Sequence, residues 1–408
     1  MTTAVPHRRD GIEIRPVHTR RDRTAFIRVP KRVYRDDPTW VSPLELERRL
    51  HLSERFNPYF RQARWRAWLA SRDGLAVGRI TAQVDERVRE RHGGELGQFG
   101  FLDAVDDPAV FDGLLEAAEA WLVERGSRRI QGPFNFSINH ECGLLVEGFD
   151  RPPTILMGHA RPYMQDHLAR RGYRKAKDLL AYWIETDFPR PPLMRRLLER
   201  YSDRIDVRSL DRSRFGEELE RLRGIFNDAW SGNWGFVPFS PSEFEDMGRA
   251  LKLFVPDDFV PVAEVDGEAA AFLLAVPNLN QIIGDLEGRL FPFGWLRLLR
   301  RVRAGRMTTA RVALMGVRRR YQGTPLGAAL ALTVIDRISR AGLARGVPEG
   351  ELSWILEDNE GMREIIERMV GGEPYKRYRI FEKRVGGNGG GVQRYTRGDR
   401  DGEARNFA

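Results

Sequence analysis

Residues 135–143 gather two amides, a hydroxyl, an imidazole, a carboxylate and the chain's single thiol, as Asn135, Asn139, Ser137, His140, Glu141 and Cys142. An imidazole can take a proton from an ammonium group near neutral pH, and a carboxylate can orient the ring. The segment lies at the end of a strand-like run, RIQGPFNFSI, and the C-terminal ends of strands are where α/β sheets hold ligands. His140, ahead of Glu141, is the candidate general base, and Asn139 a candidate contact to the substrate. A loop cross-tied by its own Asn and Ser side chains has the same composition, so both readings stand at this level. Cys142 has no cationic cluster beside it in sequence, which favours a buried thiol over a nucleophile.

A second constellation is a turn. The strand-like ARVALMGV runs through Gln322, Gly323, Thr324, Pro325, Leu326 and Gly327 directly into the apolar helix AALALTVIDRI. A glycine-bearing turn at a helix N-terminus aims backbone N–H groups and the positive end of the helix at one point, which suits a pyrophosphate. A third group, Asn227, Trp230, Asn233, Trp234, Gly235 and Phe236, concentrates aromatics and amides. Aromatic walls with a few amides suit a long apolar substrate with a polar head, and core packing explains the two tryptophans equally well.

The elements that must position these groups fall into two series. In the first, RWRAWLASRDG and LAVGRITAQVD form a hairpin across Asp73-Gly74, followed by the strand QFGFLDAV and a helix from Asp107-Pro108 to Gly126. The strand RIQGPFNFSI, a helix around RPYMQDHLARRGY and the strand LLAYWIETD complete it. After a helical prelude, GEELERLRGIFNDAW, the second series repeats this order: a hairpin across Asp266-Gly267, ARVALMGV, the helix TPLGAALALTVIDRISRAG, ELSWIL, the helix EGMREIIERMV and YKRYRIFEKRV. The expected architecture is α/β, two similar halves, each a mixed and mostly antiparallel sheet flanked by helices. The halves are expected at 1–186 and 207–385, joined by a proline-rich linker at 187–206. Residues 386–408, glycine-rich and then charged, read as a disordered tail.

Composition sets limits. The 408 residues, 41% of them hydrophobic, supply apolar material for two cores. One cysteine excludes an internal disulfide, and seven scattered histidines offer no zinc spacing, so no metal is expected. A net charge of +9 rests on basic residues interleaved with acids on helix faces, which speaks against nucleic acid as a partner. No apolar run approaches the roughly 20 residues of a spanning helix, and the N-terminus lacks a signal-peptide core, so a cytoplasmic location is expected. The stretch 290–306 is unusual: Leu290, Phe291, Phe293, Trp295, Leu296, Leu298 and Leu299 alternate with Arg297, Arg300, Arg301, Arg303 and Arg306. That is the composition of an interfacial membrane anchor on the inner face of a membrane, or of a surface helix packed on the sheet.

The turn at Gln322–Gly327 resembles the GNAT superfamily of acyltransferases, whose signature after the fourth strand is Gln/Arg-x-x-Gly-x-Gly/Ala. Gln322 and Gly327 match, Val317 and Tyr321 precede it as in family members, and Pro325 replaces the first motif glycine and removes one backbone donor. The later elements run in superfamily order through Glu357-Asp358-Asn359 to the strand bearing Tyr375 and Tyr378. The resemblance implies an acyl-CoA co-substrate held by Val317, Gln322, Gly323, Thr324, Gly327 and Asn359, with fourth-strand amides on the thioester carbonyl. It also makes Tyr378 or Tyr375 a candidate to protonate the departing thiolate, although both have the pattern of ordinary strand residues. The corresponding first-half loop, Asp103 to Pro108, is acidic and would repel a pyrophosphate. The segments GPFNFSINHECGLLVEGFDRPP, GHARPYMQDHLARRGY and FNDAWSGNWGFVPFSPSEF resemble a bacterial family of paired GNAT-like halves that includes the bacterial ceramide synthases. This implies an N-acyltransferase that moves an acyl group from a CoA or acyl-carrier thioester to an amine, with Asn139, Asn227, Trp230, Asn233 and Trp234 toward the acceptor. A long-chain sphingoid-type base is the expected acceptor. The rivals are acetylation of a small amine and a non-catalytic pair that binds CoA or a membrane.

Overall fold

Asp73-Gly74 and Asp266-Gly267 each place both residues at positive φ, between 49° and 79°. That backbone closes a two-residue hairpin whose twist matches its strands, and Asp-Gly adopts it readily. In the computed structural model, which describes residues 7–9 and 11–386, both expected hairpins form.

The first half runs β1 (His7–Arg9), β2 (Ile12–Pro16), α1 (Arg20–Val33), α2 (Glu45–His51), β3 (Ala63–Arg72), β4 (Leu75–Asp85), α3 (Glu86–His92), β5 (Leu96–Ala104), α4 (Pro108–Glu124) and β6 (Arg129–Gly132). Three short strands follow, β7 (Phe134–Asn135), β8 (Glu141–Cys142) and β9 (Leu144–Glu147), then α5 (Tyr163–Arg170) and β10 (Arg174–Glu185). The second half runs α6 (Pro192–Arg200), β11 (Ile205–Arg208), α7 (Phe215–Trp230), α8 (Pro241–Leu251), β12 (Val262–Val265), β13 (Glu268–Pro277), α9 (Asn280–Ile283) and α10 (Gly294–Arg303). It ends with β14 (Thr309–Val317), α11 (Pro325–Ala344), β15 (Glu349–Leu356), α12 (Glu360–Glu364) and β16 (Glu373–Arg384).

The central helices of the two halves start alike. Asp107 and Thr324 cap α4 and α11 with their side-chain oxygens, and Pro108 and Pro325 take the first helical position, where no N–H is needed. Each half is a mixed, mostly antiparallel sheet flanked by helices, and its one parallel pairing is β5 with β6 or β14 with β15.

The halves share one sheet, in the order β1-β2-β3-β4-β5-β6-β16-β10-β15-β14-β13-β12-β11. Their last strands are exchanged. The strand β16, from the end of the second half, pairs with β6 from Phe381↔Gly132 to Arg384↔Arg129. The strand β10, from the end of the first half, pairs with β15 from Leu179↔Leu356 to Glu185↔Glu349. The cores follow the strands: Tyr378, Ile380 and Phe381 are buried with Phe99, Ile130 and Phe134 of the first half.

Two stretches hold more structure than the sequence reading assigned. The proline-rich stretch 187–206 contains α6, with Pro192 at its start and Met194 buried, and Arg190 Nε donates to Asp336 on α11 at 2.7 Å. Proline here opens a helix and does not mark a loose joint. The Arg-rich lead-in contains α1, begun by a capping box between Thr19 and Asp22, and α2. Of the expected tail 386–408, all but Gly386 lies outside the described residues.

Candidate active site

The parallel strands β14 and β15 are paired only from Thr309 to Val312 and then part. The gap opens at a bulge. On the other side of β14, Ala275 pairs with Val312 and Leu274 with Leu314, so Ala313 has a partner on neither side. The gap and the loop before α11 line a cavity of about 700 Å³. Val317, Gln322, Gly323, Thr324, Gly327 and Asn359 all line it, and so does Asn233. Only glycine fits at 327, where a Cβ would lie 2.0 Å from the Tyr321 carbonyl oxygen. The Gln322 side chain donates to the carbonyls of Val317 (2.8 Å) and Ala229 (3.1 Å) and so ties the loop to β14 and α7. Thr324 Oγ1 accepts the Gly327 N–H at 3.1 Å, and Pro325 has no N–H. Among the described residues, the amides of Gly323 and Leu326 meet no protein acceptor at the positive end of a 20-residue helix. Asn359 caps α12 by accepting the Met362 N–H at 3.2 Å.

A second cavity, about 530 Å³, lies between the halves. One wall is α2 and the loop at 138–141; the other is α7, α8 and β14. His140, Glu141, Asn139, Trp230 and Trp234 line it, together with Arg48 and His51 from α2. The His140 ring stands edge-on to His51, with centroids 4.9 Å apart, and its Nδ1 lies 3.3 Å from Ser137 Oγ. His51 Nε2 sits 3.1 Å from the Asn135 carbonyl, which can only accept, so the His51 proton is on Nε2 and Nδ1 is bare. Burial, with the second imidazole nearby, pulls His140 down to about 3. Burial and the Arg48 guanidinium pull His51 down to about 4. Both rings are neutral near pH 7.

Glu141 does not orient His140. It receives both ends of the Arg48 guanidinium and, at 3.0 Å, the Asn135 amide. Burial would raise its pKa, but Arg48 and Asn135 overcome this and hold it at about 2. Its role in the structure is to keep the loop on α2.

The two cavities meet. Trp230, Ala313, Leu314 and Trp354 line both. Trp230 Nε1 donates to the Met315 carbonyl at 2.8 Å, and the ring stands edge-to-face with Trp354 at 5.5 Å, so the wall at the junction is fixed to β14. Arg311, also on the second cavity, donates to Ser353 Oγ at 2.7 Å and lies 3.8 Å from the fully buried Glu351. Among the described residues no group of three or more His, Cys, Asp or Glu side chains is gathered as for a metal ion.

No family model matches the chain. Protein YghO of Escherichia coli (strain K12) is 47% identical over 373 residues, 91% of this chain and 95% of that protein. A bacterial ceramide synthase of Caulobacter vibrioides is 41% identical over 374 residues, 91% of this chain and 97% of that enzyme. The chain belongs to the family of these two proteins. Among solved structures, a tandem GNAT protein from the clavulanic acid biosynthesis pathway aligns over 93% of this chain and 100% of its own, with TM-score 0.55 at 14% identity. A GCN5-related N-acetyltransferase from Sphaerobacter thermophilus aligns over 92% of this chain and 96% of its own, with TM-score 0.52 at 16% identity. The fold is therefore that of two GNAT-like domains in tandem. At the level of the family, the chemistry is transfer of an acyl group from a thioester to an amine.

Of the residues expected to act, the structure brings most to the two cavities and leaves three aside, Asn227, Tyr375 and Tyr378. Asn227 is spent on backbone, accepting from Phe239 N–H (2.9 Å) and donating to its carbonyl (3.0 Å). Tyr378 lines neither cavity; its ring is fully buried, its hydroxyl has no partner among the described residues, and burial, with Glu351 near, pushes its pKa well up. Tyr375, its alternative, donates to Glu351. Cys142 is buried, and burial pushes its thiol up to about 12. The sequence reading passed over Arg48, His51, Arg311 and Glu351. A visible signal existed for the last two, a charge inside each of two apolar strands.

Proposed function

We propose that the protein is an N-acyltransferase that moves a long acyl chain from a CoA-type thioester to a long-chain amine of the sphingoid-base kind, giving a ceramide-like amide. The observation that carries this reading is the meeting, at Ala313 and Leu314, of a cavity that ends on the Gln322–Gly327 loop and an apolar cavity. The first fits the thioester, with the Gly323 and Leu326 amides and the positive end of α11 toward the phosphates. The second, walled by Trp230, Trp234, Phe226, Phe236 and Phe239, fits a long chain. The name of the Caulobacter relative, a bacterial ceramide synthase, supports the acceptor class.

In this reading the barrier falls chiefly because donor and amine share one junction. The Ala313 amide, at the bulge where the gap opens, donates to the carbonyl oxygen as it gains charge. The amine nitrogen, once bonded to the acyl carbon, is far more acidic than a free ammonium, and the neutral His140 takes its proton. That proton then passes to the departing thiolate, so amide and free thiol leave. Asn139 and Asn233 stand beside the two reacting partners. The proposed setting is the cytoplasmic face of a membrane, where a long-chain amine resides and which the apolar and basic composition of residues 290–306 suits.

Release of free thiol from a long-chain acyl-CoA, measured with a sphingoid base and with small soluble amines, tests this. Turnover with the sphingoid base alone is expected. Turnover only with small amines and acetyl-CoA would move the reading to a small-molecule acetyltransferase. No turnover with any amine would favour a non-catalytic CoA-binding pair, which Pro325 supports by removing an amide from the loop. Unchanged amide-linked lipids in a strain lacking the protein would sink the ceramide reading.

A further inference from the structure

The second cavity opens through an apolar rim. Leu46 and Leu50 on α2, Phe56 after it and Leu156 line the cavity, yet are 41% to 54% exposed. This rim is fastened to the stretch before β14. Glu45 N–H donates to the Gly288 carbonyl at 2.8 Å, Lys31 Nζ donates to the Glu287 carbonyl at 2.6 Å, and Leu44 packs with Leu290 and Leu298 against Ile282, Ile283 and Leu286. Leu290 lines the cavity as well, so the rim and the insertion are one surface.

Beyond Leu290 that surface is apolar and basic at once. Phe291 and Phe293 are 73% and 67% exposed, and Trp295, Leu296 and Leu299 follow on α10, which has no buried residue. Leu298 and Val302 hold α10 to the body. Arg301 is paired with Asp285, whereas Arg297, Arg300, Arg303 and Arg306 have no ion-pair partner among the described residues. No helix among the described residues is long and apolar enough to cross a membrane.

Resting on the long-chain acceptor proposed above, we infer that Leu46, Leu50, Phe56 and the stretch 290–306 dock on an anionic lipid bilayer, and that the amine enters the second cavity sideways from the lipid. Charge and shape select this occupant. Unpaired arginines meet lipid phosphates while bulky aromatic tips sit among the upper acyl chains, the arrangement of an interfacial helix. The continuity of the exposed apolar residues with the cavity lining gives a chain a path that never crosses water.

The full-length protein is sedimented with vesicles of phosphatidylcholine alone and of equal parts phosphatidylcholine and phosphatidylglycerol. Binding to the anionic vesicles only, weakened by high salt, is expected, and Phe291→Ser with Phe293→Ser should lower it roughly tenfold or more. The same double variant should lose a similar factor in rate on vesicle-embedded long-chain amine while keeping its rate on a sphingoid base dispersed in detergent micelles. That retained rate also shows that the variant is folded. Failure of the wild type to bind anionic vesicles, or equal binding by the variant, overturns the inference. Vesicle binding without turnover of any amine would instead sink the acyltransferase reading and leave the docking surface standing.

Discussion

Both halves build the same cleft, and only one leaves it open. In the second half, β14 and β15 separate after Val312 and the gap becomes the 700 Å³ cavity. In the first half, β5 and β6 pair in parallel from Leu96 to Gln98, and the chain beyond Gly132 folds back into the gap they would leave. A Cβ on Gly100 would lie 1.7 Å from the Phe134 carbonyl oxygen. Asn135 Oδ1 accepts the Phe101 N–H at 2.7 Å, and Gln83 Nε2 donates to the carbonyls of Phe134 and Phe136. Phe136, at φ 124°, is buried among Tyr59, Phe60, Trp65 and Phe101. The helix starts differ in the same sense: Asp107 both caps α4 and pairs with Arg72, where α11 leaves two amides free. In one half the cleft is thus filled by a tied-down loop, and that loop brings His140 to the cavity between the halves.

The largest effect should come from that loop. His140→Ala is expected to lower kcat roughly a hundred- to a thousandfold, with little change in KM for the acyl thioester and an unchanged melting temperature. A small change in kcat would leave the filled half a scaffold only.

Next, the same substitution in the two clefts should give two different losses. Gly100→Ala forces a methyl into the filled cleft and should cost about 3 kcal/mol of stability in denaturant titrations. Gly327→Ala, on the buried side of the first turn of α11, also meets backbone, the Tyr321 carbonyl, but the exposed residues 322–324 between them can shift, so its loss should appear chiefly as roughly tenfold weaker binding of the thioester. Equal stability losses would mean that the filled cleft is no tighter than the open one.

All seven histidines lie in the first half, so its titration should dominate acid sensitivity. The rings of His51 and His140 bind protons near 6.5 when unfolded, but only at about 4 and about 3 when folded. Between pH 6.5 and 4 the unfolded chain therefore holds more protons, and stability should fall as pH falls, by up to about 1.4 kcal/mol per pH unit for each ring. Above 6.5 the two rings contribute no slope. Stability measured against pH for the wild type and His140→Gln should show a flatter acid limb in the variant; identical limbs would place the sensitivity elsewhere.

The smallest effect concerns the open cleft alone. Pro325→Ala restores an N–H at the first position of α11 and should tighten binding of the acyl thioester about threefold, as read by calorimetry. No gain would show that the two remaining amides suffice.

What the sequence disclosed was local. Asp-Gly turns, proline-started helices and the Gln322–Gly327 loop announce themselves within a few residues, and the hairpins, α4, α11 and the cavity lining follow from them. Hidden from it was everything set by distant partners. Glu141 sits beside His140 in sequence, yet its charge is claimed by Arg48, 93 residues earlier. Tyr378 has the pattern of any strand residue, and only the neighbours of β16 show that its ring turns into the first-half core. The run RIQGPFNFSI reads as one strand, but the strand stops at Gly132, and Phe134 and Asn135 turn away to pair with Cys142 and Glu141, residues the sequence pattern does not mark as their partners.

The exchange of β10 and β16 also sets a schedule. During synthesis the first 185 residues emerge with β6 lacking its neighbour, and that neighbour is made last, some 190 residues later. Until then the half that carries the histidine loop has an open flank in the middle of the eventual sheet, and β10 waits for β15. A nascent chain cut short before Glu373 would therefore be missing its keystone and not a trimming, and neither half could be released as a finished unit before the whole message had been read.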